Sequence, residues 1–313
     1  AYEISECLGG SEMCIRDRAS KPFNYEIKGT LSDYISTIDR YNNENKYLDD
    51  YYEGMRVGEI WGYETEGLFK DQADIDNHAT QKLIKSSSKN IWYPGDVKLK
   101  DQDGNGAIDY GTNRVDDHGD LKVIGNSLPR FAYSINLSGD WNNFFISAFF
   151  QGVGKQDWYP SSECIFWGQY NRPYNNLPTW HVDNYWTEDN QGAYLPRYAG
   201  YNTSIRDTKQ TRYLQNVAYI RLKNLQFGYT LPKQWISKIM LQNARVYISA
   251  ENLWCWSPLY KHTRDLDVTN IYGSDPDLTD ADMKSGLNGK RGSGDGNSYP
   301  QMRSVSLGVS VTF

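Results

Sequence analysis

The sequence predicts an all-β membrane protein, an antiparallel transmembrane β-barrel with long loops at one end. Three observations carry that prediction. Several runs alternate apolar and polar residues with period two, the pattern of strands whose two faces meet different surroundings. Tyr and Trp are abundant, 25 and 10 of 313 residues, which suits aromatic girdles at two interfaces. Tight turns alternate with long polar and aromatic stretches, the two-ended asymmetry of membrane barrels.

Composition narrows the alternatives. The net charge is −6 and the pI is near 5.3, which argues against a nucleic-acid or polybasic membrane-surface role. The mean hydropathy is −0.72, and no apolar run is long enough for a transmembrane helix. Barrel strands escape that exclusion, because they need only about ten alternating residues. Cys7, Cys14, Cys164 and Cys255 match no zinc or redox spacing. A Cys164–Cys255 bridge has no support from the spacing. No signal peptide opens the chain, and it reads as a C-terminal fragment of something longer. Residues 1–18 fit nothing downstream and resemble translated adapter read-through, so they are set aside as a non-native extension. A native loop is the bland alternative.

Residues 23–34 place Phe23, Tyr25, Ile27, Gly29 and Leu31 on one parity and polar residues on the other, which predicts a half-buried strand. Residues 51–69 are glycine-punctuated and strand-like. Residues 71–85 lack Gly and Pro and open on Asp71, predicting a short helix on a loop. Residues 130–141 and 143–152 form a hairpin about Asn142 and Asn143. Residues 218–231 predict another strand whose parity shifts near Lys223 and Asn224, read as a bulge. Residues 244–254 predict the next strand. Residues 155–216 and 257–301 are long loops, the second ending in a glycine-rich, mobile stretch at 289–297. Val305, Leu307, Val309, Val311 and Phe313 alternate with small or hydroxylated residues, the cleanest strand in the chain.

An acidic insert, residues 94–120, precedes the hairpin. Asp101, Asp103, Asn105, Gly106, Ala107 and Asp109 match positions one, three, five, six, seven and nine of an EF-hand-type calcium loop. Ile108 takes the apolar eighth position. Ca²⁺ takes six to eight hard oxygens, and alternate residues of a turning loop point inward, with Gly106 permitting the sharp turn. The candidate metal ligands are therefore Asp101, Asp103, Asn105, Ala107 (through its carbonyl) and Asp109, with Ca²⁺ or Mg²⁺ in a structural role. Thr112 stands where the bidentate Glu belongs, and Asp116 or Asp117 is a substitute that spacing alone does not establish. A solvated Asp/Asn/Gly turn explains the same residues.

Trp158, Trp167, Tyr170, Tyr174, Trp180 and Trp186 crowd the first long loop. Flat rings suit pyranose faces, and Trp158, Trp167, Tyr170 and Trp180 are the candidate substrate-stacking residues. For any single one of them loop packing or interfacial girdling is the better account. His78, His118, His181 and His262 are dispersed, and neither a nucleophile elbow nor a Walker motif occurs. The chain is expected to be non-enzymatic.

The order of several motifs resembles one family. Residues 52–69, opening Tyr52-Glu53-Gly54-Met55-Arg56, then Pro94-Gly95-Asp96-Val97-Lys98 and the acidic loop come first. Residues 123–131, 149–154, 185–190, 220–232, 246–253 and 299–304 follow. Together they resemble the C-terminal part of SusC/RagA-type TonB-dependent outer-membrane transporters of the Bacteroidetes. A last amphipathic strand ending in Phe313 also looks like the signal read by the barrel assembly machinery. The resemblance implies an outer-membrane location in contact with lipid, and a barrel whose N-terminal plug and TonB-contacting part lie outside this chain. Residues 19–313 would be its C-terminal segment, with about seven strands against roughly 22 in plugged transporters. It also implies a SusD-like surface lipoprotein as partner, and import of oligomeric nutrient, glycan ahead of peptide. The rival reading is a secreted, calcium-stabilised β-sandwich that binds glycans.

Overall fold

The computed structural model describes residues 4–20, 23–81, 91–161, 164–170, 176–198, 208–237, 240–269, 271 and 301–313, the first of these as backbone. Its largest element is one seven-stranded antiparallel sheet: β1 (Ile4–Ser20), β2 (Phe23–Ile38), β3 (Arg130–Trp141), β4 (Phe144–Lys155), β5 (Tyr219–Thr230), β6 (Asn243–Trp256) and β7 (Ser304–Thr312). Each strand pairs with its neighbours in this order, an up-and-down meander. The segment set aside on its sequence supplies β1, which pairs with β2 from Ile4 opposite Ile38 to Ser20 opposite Phe23.

The sheet is open. β1 and β7 are its two edges and do not pair with each other. This corrects the expectation of a transmembrane barrel segment, because among the described residues no barrel closes. Period-two alternation specifies a sheet with two unlike faces. It does not specify that the first strand meets the last, and an open meander satisfies it as well. The sandwich expectation fails differently, since no second sheet covers the apolar face among the described residues. No helix is long and apolar enough to cross a membrane.

Register carries one apolar face across the sheet. Ile248 on β6 lies opposite Leu307 on β7 and Phe227 on β5. Phe227 lies opposite Ile146 on β4. Next to that row, Val309, Val246, Tyr229, Phe144, Trp141 and Phe23 follow one another from β7 to β2. Ile146, Ile248 and Phe227 are about half exposed, and Leu307 is 75% exposed. At such cross-strand pairs side chains touch within the face, yet nothing among the described residues lies over it.

The parity shift near Lys223 is a bulge. Asn224 pairs with Phe149 and Leu222 with Phe150, so Lys223 is left over. The extra residue returns Leu222 and Ile220 to the face that holds Leu225 and Phe227. On the other side Lys223 faces two residues of β6, Asn252 and Leu253, between the pairs Asn224–Glu251 and Leu222–Trp254. Asn252 there has φ +53°.

Connections separate by end. At one end Asn142 and Asn143 turn β3 into β4 with both φ values positive, +46° and +70°, as a two-residue hairpin of matching twist requires. A short helix, Lys233–Ile236, lies in the link from β5 to β6. At the other end the described parts of the long connections 39–129, 156–218 and 257–303 pack together. The buried core lies there and not on the sheet: Tyr63, Val97, Leu99, Ile108, Trp158, Phe166, Trp167, Tyr170, Leu195, Tyr213 and Leu259 form its centre.

Residues 51–69 contribute no long strand. They split into Glu59–Gly62, paired with Lys122–Asn126, and Thr65–Leu68, paired with Val97–Leu99. Gly54, Gly58 and Gly67, all at positive φ, break the run. The predicted helix shrinks to Gln72–Asp76, where the Asp71 side chain caps the Asp74 N–H at 2.8 Å. Thr80–Gln81 is already a strand, and 82–85 and the glycine-rich 289–297 lie outside the described residues.

Candidate functional site: the acidic loop and the aromatic loop layer

The acidic loop is a series of side-chain-to-backbone turns. Asp101 accepts from the N–H groups of Gly104 at 2.7 Å and Gly106 at 2.9 Å. These N–H groups, Gly106 foremost, hold its carboxyl below the usual carboxylate range. Asp103 accepts from Asn105 N–H and Asn105 from Ala107 N–H. Gly104 and Gly106 sit at φ +73° and +83°, where a side chain would be strained. The chain then enters the core, because Ile108 is fully buried and Ala107–Ile108 pairs in parallel with Thr80–Gln81. Buried Gln81 locks the same layer by donating to Val97 O and accepting from Leu99 N–H.

Asp120, fully buried, stands beneath the loop. Its carboxylate accepts from Gln102 N–H at 2.6 Å and Asp109 N–H at 2.9 Å. The carboxylates of Asp101, Asp103 and Asp120 lie within 4.8 Å of one another, a donor set of hard oxygens that could hold a metal ion. The sequence offers Asp116 or Asp117 as a closing carboxylate, which spacing alone does not establish. Asp116 instead pairs with Arg114 at 2.9 Å, and Asp117 accepts from Thr112 N–H. Asp120 lies eleven positions past Asp109, too far for a twelve-residue loop, and the chain fold alone brings it back. Asp109 turns to Gly111 N–H.

Charges around the loop are largely paired. Glu64 accepts from Lys122 and, at 2.8 Å, from Gln102, and the Lys122 contact above all pulls its carboxyl down to about 2. Asp74 is lowered by Lys98 at 2.8 Å. Asp96 behaves oppositely: burial pushes its carboxyl up although Arg197 Nε lies 2.7 Å away.

The aromatics form the neighbouring core. Trp158, Trp167 and Tyr170 are fully buried, and Trp180 is half-buried. Trp167 donates to Pro160 O, and Tyr170 to Pro196 O at 2.6 Å. Phe166 meets Trp167 edge-on at 5.1 Å between ring centroids, a preferred aromatic geometry. Trp180 therefore keeps the most surface of the four, and Tyr174 lies outside the described residues. Sequence reasoning passed over His181, fully buried at the centre of this cluster. Its Nε2 is 3.0 Å from Phe166 O and its Nδ1 is 3.3 Å from the Tyr198 hydroxyl. A carbonyl only accepts, so Nε2 carries the proton and Nδ1 accepts. Burial holds the imidazole at about 4, so it stays neutral.

Cys164 and Cys255 are not joined in a disulfide. Phe313 is 81% exposed, next to the edge strand β7.

No protein-family profile matches the chain. In sequence it is 30% identical over 266 residues to TonB-dependent receptor P3 of Formosa agariphila, covering 83% of this chain and 22% of that protein. TonB-dependent receptor P26 of the same organism is 26% identical over 260 residues, covering 83% and 23%. The chain thus spans under a quarter of the length of these curated relatives. In fold it is similar to a chain of the RagAB peptide importer in its open-open state, with a TM-score of 0.60 at 16% identity, over 100% of this chain and 29% of that one. A second structure, of the RagAB peptide transporter, gives 0.54 at 15% identity, covering 82% and 26%. The chain is homologous to TonB-dependent receptors, which are a receptor and transporter family and not an enzyme family. The expected function as the barrel part of a glycan importer is corrected by the same structure, whose sheet is open.

Proposed function

We propose that this chain is a portion of a SusC/RagA-type receptor serving TonB-linked uptake at the outer membrane. The observation that carries the reading is the 30% identity to a TonB-dependent receptor over 266 residues. The apolar face of the sheet, uncovered among the described residues, supports it, because so broad an exposed patch marks a surface that meets another apolar phase or partner. The packed loop layer lies at one end of the sheet, where a SusD-like lipoprotein would meet the receptor. TonB would act through parts of the receptor outside this chain. Phe313 is proposed as the aromatic read by the assembly machinery. Chromosomal tagging of the full receptor tests this reading. It is expected in the outer-membrane fraction, with a SusD-like lipoprotein co-purifying, and its deletion should remove growth on a nutrient whose use also requires TonB. A soluble receptor, or growth indifferent to both deletions, would overturn the proposal.

The acidic loop is proposed to hold a structural Ca²⁺. Asp101, Asp103 and Asp120 would supply carboxylate oxygens, with Asn105, the Ala107 carbonyl and Asp109 completing a hard-oxygen set. The clustering of the three carboxylates supports a cation, and the oxygen-only chemistry favours Ca²⁺ or Mg²⁺ over softer metals. Isothermal titration of the receptor with each ion separates them, and no heat with either would leave a solvated turn.

A further inference from the structure

A cavity of about 100 Å³ opens where the sheet meets the loop layer. It is lined by Tyr34 and Ser36 at the end of β2, Arg56 and Asn126 from the loops, Arg130 at the start of β3 and Lys155 at the end of β4. Three of its lining residues are cations and none is an acid, in a chain of net charge −6. The register forces this crowding, since Lys155 is the direct cross-strand partner of Arg130. Like charges opposite one another destabilise a sheet unless something compensates them. The loop segment adds Arg56 by pairing with the end of β2: Thr37 bridges Arg56, and Val57 N–H donates to Ser36 O at 2.9 Å.

Nearby carboxylates are already engaged. Asp33 takes both Arg130 Nε and Arg130 Nη2. Glu59 accepts from the Tyr52 hydroxyl and from the backbone N–H of Arg56. Asp157 accepts from Asn126 N–H. Among the described residues, neither the Arg56 guanidinium nor the Lys155 ammonium has a carboxylate within ion-pair distance.

We propose that this cavity is a subsite for a compact oxyanion, a phosphate or sulfate group, held between Arg56 and Lys155. The planar fork of Arg56 suits two oxygens of one such group, and Lys155 adds a point charge. The volume admits the charged group of a larger molecule and not a whole drug-sized ligand. The group belongs either to a soluble solute or to a lipid headgroup, since the chemistry is the same.

The test is acylation of Lys155 by an amine-reactive ester in the full detergent-solubilised receptor, followed by mass spectrometry with exposed Lys233 as internal control. Inorganic phosphate or sulfate is expected to slow Lys155 severalfold relative to chloride at equal ionic strength, with Lys233 unchanged. Arg56→Gln should abolish that protection and Arg56→Lys should restore part of it. Mixed micelles carrying phosphatidic acid form a second arm. Protection there, and not by the soluble ions, assigns the oxyanion to a lipid headgroup. Equal acylation of Lys155 in phosphate, sulfate, chloride and anionic micelles would overturn the proposal, as would protection that survives Arg56→Gln.

Discussion

Asp109 and Asp120 exchange two hydrogen bonds: Asp109 N–H donates to the Asp120 carboxylate at 2.9 Å, and Asp120 N–H donates to Asp109 O at 3.0 Å. The pair clamps the end of the acidic loop onto the buried layer. Asp120→Ala leaves the N–H groups of Gln102 and Asp109 without their acceptor. Each such orphan costs roughly 1–3 kcal/mol, so thermal unfolding of the loop layer should shift clearly downward. Asp120→Asn keeps one acceptor oxygen and should lose less. Equal melting of all three proteins would refute the clamp.

Calcium occupancy predicts a protease footprint. With Ca²⁺, cleavage within 101–109 should be slower than with chelator, and Asp101→Ala combined with Asp103→Ala should erase the difference, because affinity follows carboxylate count. The double variant should also cleave faster without metal, since Asp101 holds two backbone N–H groups. Cleavage indifferent to calcium in the parent protein would exclude the ion.

Gly95→Ala should loosen the junction of the two long loops. Gly95 has φ +85°, and an added methyl would collide with the Trp186 indole and approach Arg197 Cβ. Strain and overlap act together, so the loss should exceed ~1 kcal/mol, the upper end of what a Gly-to-Ala change contributes at a compatible φ. Hydrogen exchange at Arg197 N–H, which donates to Gly95 O at 2.9 Å, is the local readout. Unchanged protection there would contradict the close approach.

His181 sets an acid limit on the loop layer. Its imidazole is held at about 4 in the fold against 6.5 unfolded, so the unfolded chain binds the proton more readily. Stability is then full above pH 6.5 and falls as the pH drops toward 4, by up to about 3 kcal/mol. His181→Gln should flatten that slope. An unfolding free energy independent of pH across this window in the parent protein would contradict the buried neutral ring.

Deleting Phe313 from the full receptor should lower its outer-membrane level with synthesis unchanged, read by fractionation and immunoblot. Leu307→Ile keeps parity and apolar character and should leave the level as it was. Normal levels without Phe313 would remove its proposed role in assembly.

Strands were the legible part of this sequence, because alternation is written residue by residue. The hairpin about Asn142 and Asn143, the bulge at Lys223 and the strand at 304–312 all follow from local pattern. Closure was not legible, since whether β1 meets β7 depends on curvature summed over the whole sheet. In the acidic loop the turn and the neighbouring carboxylates Asp101 and Asp103 were legible, whereas Asp109 turns to Gly111 N–H. Asp120 reaches the loop by a fold-back, and nothing in the spacing of Asp116 or Asp117 warns that both turn to other partners. Among the aromatics, sequence cannot tell a ring offered to a solute from one that builds the core, because both need the same side chains. His181 gave no signal at all, as its partners are the Phe166 carbonyl and the Tyr198 hydroxyl, far from it in spacing rules.

The bulge between β4, β5 and β6 makes the sheet a counter of frames. Relative to β4, β5 carries one surplus residue and β6 two. One surplus inverts the odd–even code of β5, so its outward set moves from Phe227 and Leu225 to Leu222 and Ile220. Two surpluses cancel, so β6 keeps one code from Val246 through Trp256. A single-residue deletion in either strand is therefore a phase error for everything beyond it, whereas matched deletions at Lys223 in β5 and at Asn252 and Leu253 in β6 would return all three strands to step. The pairing thus ties the lengths of the three strands at this point to one another.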